Sequence, residues 1–260
     1  MRYLVISDIH ANIEALDATL AAAGTYDRAL VLGDLVGYGA DPNAVIDRIK
    51  SLPNATLIRG NHDKVGAGLE DVEGFNHLAR FAIAWTAAAL TRENHDWLAA
   101  LPQGPVLVDD AVEIGHGTPF DEDVYVFDDL DALRAIRAAR RPLCLFGHTH
   151  VPAIFRFWSS DPTGDPRAMR SIRGDGELSM MPPPRISPFD VTLDDARYLV
   201  NVGAVGQPRD GDARAAFGTY DTATRVVTMM RASYDVGTAQ AKIIAAGLPE
   251  VLAQRLALGR

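Results

Sequence analysis

Five of the seven histidines lie in a set of five short motifs: Asp8-Ile9-His10, Gly33-Asp34, Gly60-Asn61-His62-Asp63, Gly115-His116 and Gly147-His148-Thr149-His150. Each motif directly follows an apolar run, which places carboxylates, an amide and imidazoles at the ends of five successive predicted strands. Asp8 and His10 are two residues apart and can converge on one ion from a turn. Asp34 has two carboxylate oxygens and could bridge two ions, and Asn61 offers an amide oxygen. His116, His148 and His150 add imidazole nitrogens. This is the mixed oxygen and nitrogen donor set that a pair of divalent cations wants. No thiolate belongs to the set, which argues against a structural zinc site. Two cations about 3.5–4 Å apart would clamp a phosphoryl group and hold a water between them, and a bound cation brings that water's pKa toward ~7. His62 follows Asn61 immediately, so it falls just outside the metal-binding set. There it could stabilise a transferring phosphoryl group or protonate a leaving oxygen. Any one motif alone is weak, but the ordered set points to metal-dependent hydrolysis of phosphate esters.

The elements that must position these residues alternate strand and helix. Tyr3–Ser7, Ala29–Leu32 and Thr56–Ile58 read as strands. Ile13–Ala23 and Asn43–Ser51 read as helices, the first capped by Asn12 and the second begun near Asp41-Pro42. Short apolar strands between amphipathic helices imply a largely parallel sheet covered on both faces, and ligands bind outside the carboxyl ends of such strands. Residues 75–101 read as two helices broken near Thr91, a cap-like segment beside the site. Val106–Asp109 and Val112–Gly115 read as a hairpin turned at Asp109-Asp110. A helix over Leu130–Arg140 and strands over Leu143–Phe146 and Val151–Trp158 follow. Residues 159–188, with Pro162, Pro166 and Pro182-Pro183-Pro184, lack periodicity and read as a mobile loop or loose hairpin insertion. Four strands and two helices, Val236–Ala246 and Glu250–Leu258, close the chain. His77 and His95 stand outside the motifs and read as packing or surface residues.

The bulk properties set limits. A chain of 260 residues with 48% apolar and 23% charged residues suits one soluble α/β domain. The formal charge of −9 carries no broad basic face, so nothing signals nucleic-acid binding. An anionic substrate is not excluded, because bound cations would reverse the local sign. The single cysteine, Cys144, lies in an apolar run and reads as a buried strand residue. Arg2–Ile6 begins a strand with no separate apolar leader, and no run reaches membrane-spanning length, so a cytoplasmic protein is expected.

The motifs resemble those of the calcineurin-like metallophosphoesterase superfamily: Ser7-Asp8-Ile9-His10, Gly33-Asp34-Leu35-Val36-Gly37, Arg59-Gly60-Asn61-His62-Asp63, His116-Gly117-Thr118-Pro119 and Gly147-His148-Thr149-His150. Asn201–Asp210, Tyr234-Asp235-Val236, Ala246–Pro249 and the terminal Gly259-Arg260 resemble the closing part of its small bacterial phosphodiesterase-like branch. The resemblance implies a complete chain and a four-layer α/β/β/α sandwich over 1–260. It implies that Asp8, His10 and His150 hold one metal, that Asn61, His116 and His148 hold the other, and that Asp34 bridges them. His62 would face the phosphate. The implied cofactors are two ions, manganese or iron before zinc, nickel or magnesium.

One departure bears on substrate. Protein phosphatases and symmetrical dinucleoside tetraphosphatases of the superfamily carry Asp-Arg after the second motif, where this chain has Gly37-Tyr38-Gly39. Arg209 could replace that phosphate grip or could pair with Asp210 on the surface. Asn12 could touch substrate or only cap its helix. Tyr38, Phe120, Tyr125 and Phe127 are candidates for stacking on a base. A phosphodiesterase acting on a small phosphate ester or nucleotide is the leading expectation. A Ser/Thr phosphatase, a dinucleoside polyphosphate hydrolase and a non-catalytic scaffold are the alternatives. A homodimer is compatible with the exposed strand edge of such a sandwich.

Overall fold

The computed structural model describes residues 1–159, 176–181 and 187–260. The chain runs β1 (Arg2–Ile6), α1 (Ile13–Ala22), β2 (Arg28–Val31), α2 (Pro42–Lys50), β3 (Ala55–Leu57), α3 (Asn61–Gly66), α4 (His77–Ala89), α5 (Arg92–Ala99), β4 (Val106–Leu107), β5 (Val112–Ile114), α6 (Asp129–Ala138) and β6 (Leu143–Phe146). It continues through β7 (Ala153–Ser159), β8 (Gly176–Met181), β9 (Phe189–Thr192), β10 (Arg197–Asn201), β11 (Ala215–Asp221), β12 (Val226–Ala232), α7 (Val236–Ala245) and α8 (Glu250–Leu258).

The strands form two six-stranded sheets, ordered β3-β2-β1-β11-β12-β9 and β4-β5-β6-β10-β7-β8. The two sheets are those of the four-layer sandwich that the resemblance implied, but they are less parallel than the strand–helix alternation alone suggests. Only β1–β2–β3 and β5–β6–β10 run parallel, and the remaining pairs are antiparallel. The βαβ reading of the first strands is correct for each parallel half. It could not show that β11 would pair with β1, more than two hundred residues away in sequence.

Strand alternation explains the layering, because successive side chains point to opposite faces. Leu4 and Ile6 of β1 pack against Leu16 of α1 and Val45, Ile46 and Ile49 of α2. Tyr3 and Val5 face the other way and join Leu143, Leu145, Tyr198 and Val200 in a core between the two sheets. Cys144, Phe146 and Leu199 then turn outward onto Ala132, Leu133 and Ile136 of α6. Helices, sheet, sheet and helix make the four layers. Cys144 is fully buried, and its thiol pKa is pushed well above its ordinary value by burial and by Glu113.

Boundary details follow local chemistry. Asn12 caps α1 by accepting from Ala15 N at 3.1 Å, α4 closes at Leu90, and Thr91 caps α5 by accepting from Asn94 N. Asp109 Oδ1 accepts from Ala111 N and Val112 N, which closes the β4–β5 hairpin as an Asx turn. The six-residue α3 was not foreseen, being too short for helical periodicity to register. Part of the 159–188 insertion is ordered: β8 pairs antiparallel with β7, so that portion is a hairpin. Residues 160–175 and 182–186, which include the proline run, lie outside the described residues. No helix among the described residues is long and apolar enough to cross a membrane.

Candidate metal centre

The motif residues follow β1, β2, β3, β5 and β6, so they come from both sheets and meet at the carboxyl ends of the parallel strands. Five of them, Asp8, His10, Asp34, His148 and His150, have φ between 48° and 69°, as do Ala11 and Tyr38. Left-handed backbone costs a non-glycine residue roughly 1–2 kcal/mol. Such conformations persist only where the surroundings over-determine them, and they cluster at functional sites. Here the loops after β1 and β2 are stitched together. Asp8 N donates to Gly33 O (3.1 Å), Ile9 N and His10 N to Asp34 O (2.8 and 3.0 Å) and Ala11 N to Leu35 O (2.8 Å).

The turns aim donor atoms inward. Asp8, His10, Asp34 and His150 present atoms within 4.8 Å of one another, as do Asp34, His116 and His148, so Asp34 belongs to both groups. Asn61 reaches the second group, its Oδ1 lying 3.2 Å from His116 Nε2. Backbone carbonyls orient the rings. His10 Nδ1 donates to Val36 O (3.0 Å), His116 Nδ1 to Leu32 O (2.8 Å) and His150 Nδ1 to Gln207 O (2.7 Å). A carbonyl can only accept, so Nδ1 carries a proton in each ring, and whenever the ring is neutral Nε2 is the lone-pair donor facing the carboxylates. His148 is held the other way, with Nε2 donating to Asp123 O at 3.1 Å. Its buried Nδ1 has no hydrogen-bond partner among the described residues. Buried polar atoms are seldom left unpaired, and His148 belongs to a group of residues that could hold an ion. The donor set therefore fits two metal ions.

Electrostatics agree with a cation-binding cluster. Burial pushes His10 and His150 well below the ordinary imidazole value and takes His148 down to about 3. Burial would raise Asp34, but His116, His62 and His10 outweigh it and hold the carboxyl well below its usual range. Burial likewise opposes charge on His116, yet Asp34 and Asp8 push it up to about 10. Asp8 is raised to about 6 by burial.

The amino-acid pattern of calcineurin-like phosphoesterases matches residues 1–152, well over half of the chain. The chain belongs to this family. It is 33% identical over 268 residues to the uncharacterized protein MJ0912 of Methanocaldococcus jannaschii, a match covering 98% of this chain and 97% of that protein. The crystal structure of a metallophosphoesterase from Sphaerobacter thermophilus is similar at 35% identity and a TM-score of 0.82, covering 100% of this chain and 99% of that one. Hypothetical protein PH1004 from Pyrococcus horikoshii OT3 shares the fold at 22% identity and a TM-score of 0.74, covering 100% and 98%.

As a calcineurin-like phosphoesterase this protein is a phosphate ester hydrolase, and the remaining motif residues surround its cluster. His62 N donates to Asp34 Oδ1 (2.9 Å). The His62 ring lies among Tyr38 (4.5 Å between centroids), Phe75 (4.6 Å) and His10 (4.9 Å), and its buried Nδ1 has no hydrogen-bond partner among the described residues. Burial takes His62 down to about 4, with Asp34 opposing and the charges of Arg209 and His116 adding to the fall. Gly37, at φ +89°, packs against this ring, and a Cβ there would clash with Nδ1. An arginine-bearing loop in the Asp-Arg style would thus need a different backbone at this position.

Arg209 is not paired with Asp210, which binds Arg231 instead. Arg209 Nη2 donates to Gln207 Oε1 (2.9 Å), and its guanidinium carbon lies 5.8 Å from the Tyr38 ring centroid. Among the described residues its buried Nε has no partner and no carboxylate pairs with it. Asn12 is occupied at both ends of its amide, with Nδ2 donating to Gly206 O (2.9 Å) and Oδ1 capping α1. His77 starts α4 at the surface, and His95 contacts Asp96 (3.2 Å).

Sequence reasoning missed two positioning groups. Asp63 accepts from Leu35 N (2.8 Å), Val36 N (3.1 Å) and Gly60 N (3.0 Å), which ties the Asp34 loop to α3. An acidic residue three after Gly60 was the available capping signal. Asn201 donates to Gly147 O (2.7 Å) and Thr149 Oγ1 (3.0 Å) and holds the His148–His150 loop. Asn201 opens the Asn201–Asp210 stretch that carries the resemblance, but nothing in the sequence showed that it would hold this loop.

Proposed function

We propose that this metallophosphoesterase is a phosphodiesterase with a dinuclear centre. Asp8, His10 and His150 would hold one ion, Asn61, His116 and His148 the other, and Asp34 both. The observation that carries this reading is the two donor groups sharing Asp34. Imidazole nitrogen and carboxylate oxygen without thiolate suit manganese or iron, with zinc, nickel and magnesium as the alternatives to test. When bound, such ions polarise phosphoryl oxygens and supply a nucleophile from water at neutral pH.

The chain's own residues supply the rest. Val36, Leu32 and Gln207 carbonyls fix three rings so that no reorganisation is needed when substrate arrives. His62 lies outside both donor groups with its ring 4.9 Å from that of His10, and its ring nitrogen turned away from Gly37 would donate to a phosphoryl oxygen or protonate the leaving oxygen. A bound phosphate anion would raise its proton affinity from the low value that burial imposes. Arg209, which pairs with no carboxylate among the described residues, would supply the second positive group for the phosphate. A Ser/Thr phosphatase reading is weakened because Gly37 and Tyr38 fill the place of the Asp-Arg grip.

The test is turnover of bis-p-nitrophenyl phosphate against p-nitrophenyl phosphate by metal-stripped protein, with manganese, iron, nickel, zinc or magnesium restored singly. Metal-restored hydrolysis favouring the diester is expected. A preference for the monoester would overturn the diesterase reading and leave a phosphatase. No turnover with two ions bound would overturn the catalytic role assigned to the cluster.

A further inference from the structure

The metal-binding residues follow the carboxyl ends of β1 and β6. A cavity of about 510 Å³ lies at the amino ends of the same two strands. Tyr3 of β1 and Tyr220 of β11 border it from one sheet, and Leu143 of β6 and Tyr198 of β10 from the other, so it enters the molecule between the sheets. Tyr3 and Asp8 are five residues apart along the first strand, about 16 Å of extended chain. None of the seven metal-binding candidates lines this cavity. Its volume falls within the roughly 300–1,000 Å³ of small-molecule sites.

The polar groups on its wall are unevenly satisfied. Tyr3 Oη donates to Asp109 Oδ2 (2.6 Å) and Tyr198 Oη to Asp194 Oδ1 (3.0 Å). Both phenols have spent their protons and offer only oxygen lone pairs. Tyr220 is 3% exposed, and its hydroxyl has no hydrogen-bond partner among the described residues. A buried hydroxyl without a partner calls for an explanation. The register pairs Tyr220 with Tyr3, and their rings stack with centroids 6.4 Å apart and planes at 16°, which sets the free hydroxyl beside the Tyr3–Asp109 bond. Burial raises the Tyr220 pKa, Arg225 opposes that rise and the Asp109 charge adds to it.

The charges single out one group. Asp194 is paired with Arg156, Asp110 with Arg141 (3.6 Å) and Arg225 with Asp195 (2.8 Å), and the Met1 amine donates to Thr222 Oγ1 (2.9 Å). Asp109 accepts from Tyr3 Oη, Ala111 N and Val112 N, and no cation pairs with it among the described residues. An unpaired carboxylate, a spent phenol and a free hydroxyl therefore meet on one side of a cavity whose other walls include Leu143 and Leu193. Such a wall accepts hydrogen bonds and attracts positive charge.

We propose that this cavity binds a small organic ammonium ion carrying an apolar ring, at a site separate from the metal centre. The ammonium donates to Asp109 and to the Tyr220 and Tyr3 oxygens, and the ring lies against Leu143 and Leu193. The site stands or falls independently of the diesterase reading.

The experiment is calorimetric titration of the metal-loaded protein with tryptamine, tryptophol and indole-3-acetate, which carry a cationic, a neutral and an anionic head on the same indole. About 150 mM salt screens the long-range attraction of any cation to a chain of net charge −9. Tryptamine should bind saturably and at least about tenfold more tightly than tryptophol, the range for a hydrogen bond to a charged group. Indole-3-acetate should bind weakest. Asp109→Asn keeps an oxygen for Ala111 N and Val112 N but removes the charge, and should cut the preference for tryptamine over tryptophol to about threefold or less. Tyr220→Phe breaks no hydrogen bond among the described residues, and should weaken tryptamine about fivefold or more. No saturable binding of tryptamine at millimolar concentration would overturn the site. Tryptamine binding that neither variant changes would place the amine elsewhere and overturn it equally. Equal affinity for tryptamine and tryptophol, or tightest binding of indole-3-acetate, would overturn the ammonium class.

Discussion

His10 Nε2 and His150 Nε2 lie 3.1 Å apart, while the Nδ1 of each ring donates to a backbone carbonyl. Two lone pairs therefore face each other inside the protein, with Asp8 Oδ1 3.3 Å from one and Asp34 Oδ2 3.5 Å from the other. A cation relieves that repulsion and the unfolded chain has no such arrangement, so metal binding should be linked to folding. At a hundred times Kd a ligand specific to the folded state adds about 2.7 kcal/mol. For a chain of this size that corresponds to a rise in Tm of about 5–10 °C. Calorimetry of chelator-stripped protein with and without manganese measures it. An unchanged Tm across the series would show that the cluster binds no ion.

His62 should matter for rate and not for metal content. His62→Ala should lower kcat about 10²–10⁴-fold, the range for loss of a positioned proton donor, with two ions still bound by elemental analysis. If His62 protonates the leaving oxygen, the loss should shrink for a nitrophenolate leaving group, which needs no proton. If it stabilises the phosphoryl group, the loss should be the same for nitrophenyl and alkyl esters. An unaffected kcat would remove His62 from the reaction.

Arg209→Ala should raise KM for diesters and lower kcat/KM about 10–100-fold. An arginine hydrogen bond to a charged partner is worth about 1.5–3 kcal/mol. Arg209→Lys should recover only part, because a single ammonium cannot reproduce the fork. Stability should change little by denaturant titration, since Arg209 has no carboxylate partner among the described residues to strand. A large loss of stability would instead mark Arg209 as part of the fold.

The convergence of Asp8, His10, Asp34, Asn61, His116, His148 and His150 was legible because each follows an apolar run. Strand ends, unlike side-chain directions, can be read from local sequence. The division into two sheets was not legible from periodicity, because β1 alternates identically whether its second neighbour is parallel or antiparallel. Arg209 shows the same limit. Its neighbour Asp210 looked like its partner, but Asp210 is taken by Arg231, twenty-one residues further on. The carbonyls that set each imidazole's tautomer belong to Val36, Leu32, Gln207 and Asp123, and side-chain identity says nothing about a carbonyl's direction.

Asp63→Asn should destabilise the protein by about 2–3 kcal/mol. The buried carboxylate accepts from Leu35 N, Val36 N and Gly60 N with its two oxygens. An amide has one acceptor oxygen, so an N–H of asparagine would face a backbone N–H. The variant should also bind metal less tightly, since the same contacts fix Asp34 relative to Asn61. Urea unfolding of metal-free protein isolates the first effect, and metal titration reads the second. A neutral result in both would show that the Asp34 loop is held by its backbone bonds alone.

Metal affinity should rise with pH across the neutral range. In the metal-free cluster Asp34 and Asp8 push His116 up to about 10, so at pH 7 its ring holds a proton. Asp34, kept well below its usual range by the imidazoles, holds none. A ligating imidazole must be neutral, so binding an ion releases the His116 proton. The sign follows from mass action. Below about pH 10 the proton competes with the metal, and log Ka should climb by about one for each pH unit between 7 and 9. Below about pH 6, where Asp8 also takes up a proton, the fall should steepen. Chelator-buffered titrations at several pH values give the slope. Calorimetry in buffers of different ionisation enthalpy counts the proton directly. A flat profile over 7 to 9 would mean that His116 is already neutral, and that Asp34 does not hold a proton on it before the ion arrives.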